Sequence, residues 1–250
     1  MATKACGIDI GGSGVKGAIV DIETGELLTD IAKVVTPEPA TPASVTGAVA
    51  DVAIQLEVPQ DMRVGVSFPA PILHGKIPWM ANLDQSWVGV EINEYMSQHL
   101  NRTVTVINDA DAATIGEGFY GAGAGRDGTV IMTTLGTGIG VGVLVDGKLV
   151  PNLELGHLEI DGVDYETKAA ARWRTIEDLS WEEYAARLQK YYGTLEKLMW
   201  PDLIMVGGGV SENADKFLPL IELQNAEIIP AILRNKAGIA GAARAAALGV

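Results

Sequence analysis

Apolar positions in the first hundred residues follow first a two-residue and then a helical period. The runs Lys4 to Ile10, Val15 to Ile22 and Glu26 to Val35 predict three strands separated by glycine turns. "TPEPATP" interrupts them, because proline is denied both helix interiors and central strands. Val45, Val49, Val52 and Leu56 then recur at helical spacing, "RVGVSF" predicts a strand, residues 89–100 a helix, and "TVTVI" a further strand ending at Ile107.

The second half repeats this order. "TVIMTTL" and "VGVLV" predict strands around the turn "GTGIG", and the "DG" before "KLV" marks a hairpin. Ser180 and Glu183 form a capping box. Behind them Trp181, Tyr184, Leu188, Tyr191, Leu195 and Leu198 draw one stripe of a long helix, read as core or as a subunit interface. "LIMVGGGV" predicts a strand entering a triple-glycine turn, a short helix begins near Ser211, and the Ala-rich end from Ala237 is helical. A shift of 125 positions places Ile10 on Leu135, Gly17 on Gly142, Val20 on Val145 and Asp21 on Asp146 without a gap. The expectation is an α/β protein with two βββαβα domains around a cleft. Residues 1–108 with 238–250 would form the smaller domain, and 109–237 the larger.

Composition narrows the function classes. Of 250 residues, 48% are hydrophobic and 20% charged, enough for a real core. No run of about eighteen apolar residues and no basic-then-apolar leader is evident, so a cytoplasmic protein is expected. A single cysteine, Cys6, makes neither an internal disulfide nor a zinc cluster. The net charge of −14 disfavours nucleic acid. Lys148, Lys168, Arg172 and Arg174 remain either solvated surface or a local track for an anion.

"DIGGSGVKGAIVD" contains G-x-G-x-x-G, but a dinucleotide turn must open a helix and here β-branched residues follow. The second match, at Gly123, Gly125 and Gly128, precedes another strand and reads as a loop. A P-loop reading of Gly142 to Lys148 fails because Leu149 stands where a magnesium-holding hydroxyl belongs. A glycine turn between antiparallel strands can still converge backbone N–H groups on phosphate. Ser13 adds a hydroxyl, Lys16 a charge, and Asp9 can hold Mg²⁺ directly or through water. Gly136, Thr137, Gly138 and Gly140 repeat the donors without the acid.

"VINDADAATIGEGFYG" sets Asn108 and Asp109 where a strand meets a helix. Asp109 is read there as a helix cap or as a base for an attacking hydroxyl. "ELGHLEIDGVDYE" gathers Glu154, His157, Glu159 and Glu166, which suit hydrogen bonds to neighbouring sugar hydroxyls or simply an acidic surface.

These stretches resemble the ROK family of sugar kinases, within the actin-like (ribonuclease H-like) ATPase superfamily. "DIGGSGVK" and "LGTGIGVG" are similar to its two phosphate loops, "NDADAATIGE" to the segment with the catalytic aspartate, "ELGH" to its E-x-G-H sugar motif, "VGGGVSEN" to the nucleotide-contacting turn, and "PWMANLDQSW" to a sugar-contacting loop. The resemblance implies Asp109 as general base, and Asn82, Asn108, Asp109, Glu154, His157 and Glu166 on the sugar. It implies Gly11, Gly12, Ser13, Lys16, Thr137 and Gly138 on phosphates, Gly207, Gly208 and Gly209 on the nucleotide, and Asp9 on Mg²⁺. Glu159 stays unassigned. Many members carry a Cys-rich zinc motif after the histidine; "HLEIDGVDYETKAAARWR" has none, so no zinc is expected. That feature, with "SWEEYAARLQKYY" and "ILRNKAGIAGAA", resembles the zinc-free actinobacterial polyphosphate glucokinases. The implied activity is phosphoryl transfer from polyphosphate, ATP or both to the 6-hydroxyl of glucose, in some members also mannose. A strictly ATP-dependent hexose or N-acylhexosamine kinase is the alternative. The expected state is a monomer or homodimer without nucleic-acid or membrane partners.

Overall fold

The computed structural model describes residues 3–249. In chain order the first elements are β1 (Lys4–Gly11), β2 (Gly14–Asp21), β3 (Ala32–Val34), α1 (Pro42–Gln55), β4 (Val64–Phe68), α2 (Ile92–Leu100), β5 (Val104–Asn108) and α3 (Asp109–Tyr120). There follow β6 (Thr129–Leu135), β7 (Ile139–Val145), β8 (Lys148–Val150), β9 (Glu159–Ile160), β10 (Val163–Asp164), α4 (Glu166–Ala169), α5 (Ala171–Ile176) and α6 (Trp181–Met199). The chain closes with β11 (Leu203–Gly207), α7 (Ala214–Phe217), β12 (Glu227–Pro230) and α8 (Ala237–Leu248). Two compact units result: the chain up to Gly116 with the segment from Asn235, and Glu117–Arg234.

Each unit holds one five-stranded sheet, ordered β3-β2-β1-β4-β5 in the first and β12-β11-β6-β7-β8 in the second. In both, three antiparallel strands precede two that run parallel to the first. The duplication is therefore topological as well as textual. The hairpins differ by one residue, however. The β1–β2 ladder closes at Gly11↔Gly14, leaving Gly12 and Ser13 as the turn. The β6–β7 ladder closes at Leu135↔Ile139 around Gly136, Thr137 and Gly138, with the Gly136 N–H donating to the Gly138 carbonyl at 2.9 Å.

Local sequence explains the main helices. Thr41 and Ser44 cap α1 reciprocally, with Pro42 at its first turn, and Val45, Val49 and Val52 are fully buried. Ser180 and Glu183 do the same for α6. Along α6 the stripe holds at Tyr184, Leu188, Tyr191 and Leu195 but not at Leu198, which is 60% exposed. Glu196 is buried there instead. Its carboxylate accepts the N–H groups of Gln224, Asn225 and Ala226 at 2.7–2.9 Å. Burial pushes that carboxyl up, but the three donors outweigh it and hold it below its ordinary range.

The third strand, expected over 26–35, is regular only over Ala32–Val34. Thr29 Oγ1 accepts the Ile19 N–H at 3.1 Å, so a side chain takes a ladder position that a strand carbonyl would fill. β12 was not anticipated; it is a four-residue edge strand without a buried residue.

Helix α8 lies against β1, β4 and β5 of the first unit with backbone in contact with backbone. A Cβ on Gly65 would stand 1.8 Å from the Ala242 carbonyl oxygen, and one on Gly7 1.9 Å from that of Ile239. The alanines facing the sheet, among them Ala242, Ala243 and Ala246, are buried.

Candidate active site

In the first unit the singled-out residues collect at the carboxyl ends of the parallel strands, where open α/β sheets bind ligands. Asp9 of β1 is in register with Ser67 of β4, and Ser67 with Ile107 of β5. The Ser67 hydroxyl donates to Asp9 Oδ1 at 2.7 Å, and Lys16, directly opposite on β2, pairs with Oδ2 at 3.1 Å. Gly238 in the first turn of α8 is the close neighbour of this carboxylate; a Cβ there would come within 3.1 Å of Oδ1. Gly11 is fixed through its carbonyl, which accepts the Thr36 hydroxyl at 2.6 Å. Gly12 and Ser13 are exposed, and a Cβ on Gly12 would meet nothing within 4 Å.

At the end of β5 the capping question resolves. Asn108 Oδ1 accepts the N–H groups of Ala110 and Asp111 at 2.9 and 3.1 Å, which is the work of an N-cap. Asp109 is the first helical residue and is exposed, whereas Ala110 through Glu117 are all buried. Its carboxylate is thus not the cap, although Oδ1 also meets the Ala110 N–H at 2.8 Å. Asn82 lies exposed on the loop after β4.

In the second unit the candidates collect around the carboxyl ends of β6 and β11. A Cβ on Gly208, which has φ of +82°, would stand 2.2 Å from the Leu135 carbonyl oxygen, so the triple-glycine turn abuts the glycine turn after β6. Gly136 and Thr137 are exposed, and a Cβ on Gly136 would meet nothing within 4 Å. Gly156, between Glu154 and His157, packs so closely that a Cβ would fall 1.9 Å from the Ile139 carbonyl oxygen. Glu166 Oε2 accepts the Ile139 N–H at 2.8 Å. The buried tyrosines of α6 hold this assembly from beneath: Tyr191 donates to the Leu155 carbonyl at 3.1 Å and Tyr184 to that of Ala169 at 2.9 Å.

Electrostatics link the same groups. Burial pushes the Glu154 carboxyl up; the Glu166 charge adds to this and the nearby His157 opposes it. His157 is pushed up chiefly by a hydrogen bond from Nδ1 to Asp164 Oδ2 at 2.9 Å, against a weaker opposing effect of burial. Asp164 Oδ1 meanwhile accepts the Glu166 N–H at 3.1 Å, so one carboxylate ties the imidazole to the start of α4. Glu159 is exposed on β9, paired across the hairpin with Asp164.

Sequence reasoning passed over Asp164 and Ser67. Asp164 had a signal: Asp161 and Gly162, both with positive φ, form a turn between Ile160 and Val163 that sets Asp164 opposite Glu159. Ser67 had none, being one buried residue of an apolar strand.

Substituting Asp164→Asn is expected to lower the His157 titration midpoint, which in the wild type lies above the ordinary 6.5. Imidazole NMR measures it, and an unchanged midpoint excludes Asp164 as the cause. Because the folded-state value is raised, the stabilisation is complete below the unfolded value and fades as pH rises through the folded one. The stability gap between wild type and variant therefore narrows as the pH rises above 6.5.

Among the described residues no group of three or more His, Cys, Asp or Glu side chains is placed to hold a metal, and no helix is long and apolar enough to cross a membrane. Mg²⁺ needs no such cage: it keeps waters and takes one or two carboxylates plus substrate phosphates. Asp9, fixed by Ser67 beside an exposed glycine turn, suits that role.

The ROK family model matches residues 5–170. The chain belongs to the ROK family. This ROK protein is 42% identical over 240 residues to a polyphosphate glucokinase of Mycobacterium tuberculosis, covering 96% of this chain and 89% of the relative. Among solved structures, it is 51% identical to an inorganic polyphosphate/ATP-glucomannokinase from Arthrobacter sp. strain KM, with TM-score 0.93 and complete coverage of both chains. A ROK family glucokinase from Streptomyces griseus, solved with glucose and AMPPNP, is 26% identical at TM-score 0.84, covering 98% of this chain and 100% of that one. These neighbours identify the two-sheet α/β architecture as that of the ROK actin-like sugar kinases.

Proposed function

We propose that this ROK protein is a glucokinase that transfers a phosphoryl group from inorganic polyphosphate or ATP to the 6-hydroxyl of glucose, and to mannose as a second acceptor. The observation that carries the mechanism is the division of labour at the head of α3. Asn108 caps the helix, and the exposed Asp109 carboxylate beside it serves as base. The identity to a polyphosphate glucokinase and to a polyphosphate/ATP-glucomannokinase supports the choice of donor and acceptor.

Asp109 accepts the 6-hydroxyl proton as that oxygen attacks the terminal phosphorus, and fixes its line of approach. The Asn108 amide nitrogen, which has no protein acceptor among the described residues, donates to a sugar hydroxyl. Glu154, His157 and Glu166 hold other hydroxyls, as does Asn82. With its Nδ1 committed to Asp164, His157 meets the sugar through Nε2. Backbone N–H groups at Gly11, Gly12 and Ser13 and at Thr137 and Gly138, with the Lys16 ammonium, take up phosphate charge. Gly207, Gly208 and Gly209 border the nucleotide when ATP is the donor. Mg²⁺ on Asp9 would supply further neutralisation of that charge.

The test is a matrix of sugars against donors with the purified protein. Glucose 6-phosphate formed from glucose and polyphosphate, without nucleotide, is the expected result. Product from ATP alone, or from an N-acylhexosamine in preference to glucose, would overturn the corresponding half of the reading.

A further inference from the structure

The glycine turn after β6 is backed by the segment 166–172. Glu166 Oε2 accepts the Ile139 N–H at 2.8 Å, and the Arg172 N–H donates to the Gly136 carbonyl at 3.1 Å. Two main-chain contacts, one on each side of the turn, thus fix α4 and the start of α5 against it. This segment presents two exposed cations, Lys168 and Arg172.

The basic side chains nearby are already engaged. Arg174 lies 3.6 Å over the Trp181 ring, Arg187 pairs with Glu177, and Lys190 pairs with Asp161. Lys168 and Arg172 form no ion pair among the described residues; Arg172 has only the Trp173 ring beside it, at 5.2 Å. The acid that acts on Lys168 is Glu177, whose charge Arg187 already answers. The other amino group of Arg187 donates to the Lys168 carbonyl at 3.1 Å, which anchors the backbone at Lys168. In a chain of net charge −14, uncompensated cations tied to a phosphate-binding turn call for an anionic ligand. Lys148 is excluded, since it sits at the opposite end of the seven-residue β7, roughly 20 Å from the turn at ~3.3 Å per residue.

We propose that Lys168 and Arg172 form a subsite for the trailing phosphates of a long linear polyphosphate, beyond the few residues held at the glycine turn. The inference rests on the polyphosphate-donor reading above. A donor of three phosphates ends before the strip, whereas a long chain runs along it and gains charge contacts at each step.

The experiment compares wild type with the double variant Lys168→Gln and Arg172→Gln on long-chain polyphosphate, tripolyphosphate and ATP, across a salt series. Both bonds to the turn come from main chain or from Glu166, so the variant keeps them. The expected result is a KM for long-chain polyphosphate about tenfold higher, as the loss of two exposed charge contacts allows, and a shallower salt dependence. Values for the short donors stay within twofold, which also reports an intact fold. Lys168→Arg with Arg172→Lys restores most of the preference. An unchanged ratio of long-chain to short-donor kcat/KM overturns the subsite alone. A wild-type protein that forms no product from any polyphosphate overturns the donor reading and the subsite with it.

Discussion

Asp109→Asn lowers turnover by about a thousandfold while leaving the affinity for glucose within a few-fold. General-base catalysis contributes about 10²–10⁴, and an amide of the same shape hydrogen-bonds but takes no proton. The loss corresponds to ~4 kcal/mol of transition-state stabilisation. The fold should tolerate the change, because Asn108 and not Asp109 caps α3. What disappears structurally is one negative charge in a first helical turn, worth about 0.3–1 kcal/mol, and Asp111 remains in that turn. Steady-state kinetics with calorimetric glucose binding separate the two quantities. Near-normal turnover removes Asp109 as the base; loss of binding together with turnover makes it a sugar contact.

The second large effect concerns stability. Gly65→Ala places a methyl group 1.8 Å from a backbone carbonyl oxygen of α8 and drives the helix off the sheet. Forced overpacking costs about 1–3 kcal/mol where side chains can yield. Here the obstacle is main chain, so at least ~3 kcal/mol is expected, or roughly a 6–12 °C fall in Tm. Gly47→Ala in α1, where a Cβ meets nothing within 4 Å, is the matched control and should hold or raise stability by up to ~1 kcal/mol. Equal melting temperatures for the two variants would mean that α8 does not need this close approach.

Much of this was legible in the sequence where pattern and chemistry coincide. The α6 stripe, read as core or as a subunit interface, included Tyr184, Leu188, Tyr191 and Leu195, and all four are fully buried. It erred at Leu198, because a carboxylate that collects three loop N–H groups outranked periodicity in deciding which face turns inward. Periodicity cannot register β12 either, since an edge strand with no buried residue carries no alternation. At Asn108 and Asp109 the spacing located the strand-to-helix junction, yet which neighbour caps it depends on one backbone turn. The E-x-G-H glycine is a motif letter in the sequence; in the structure it is the residue that lets the segment lie against the Ile139 carbonyl. Asp164 shows the converse, a residue overlooked because its importance lies in what it touches.

Helix α8 also imposes an order of events on synthesis. The β1, β4 and β5 surface that it covers is made first, while the helix is encoded after the whole of Glu117–Arg234. At about 5–20 residues per second, translation leaves that surface without its helix for roughly ten seconds. The contiguous second unit has every strand of its sheet in hand before α8 emerges. The unit written first is therefore the one completed last.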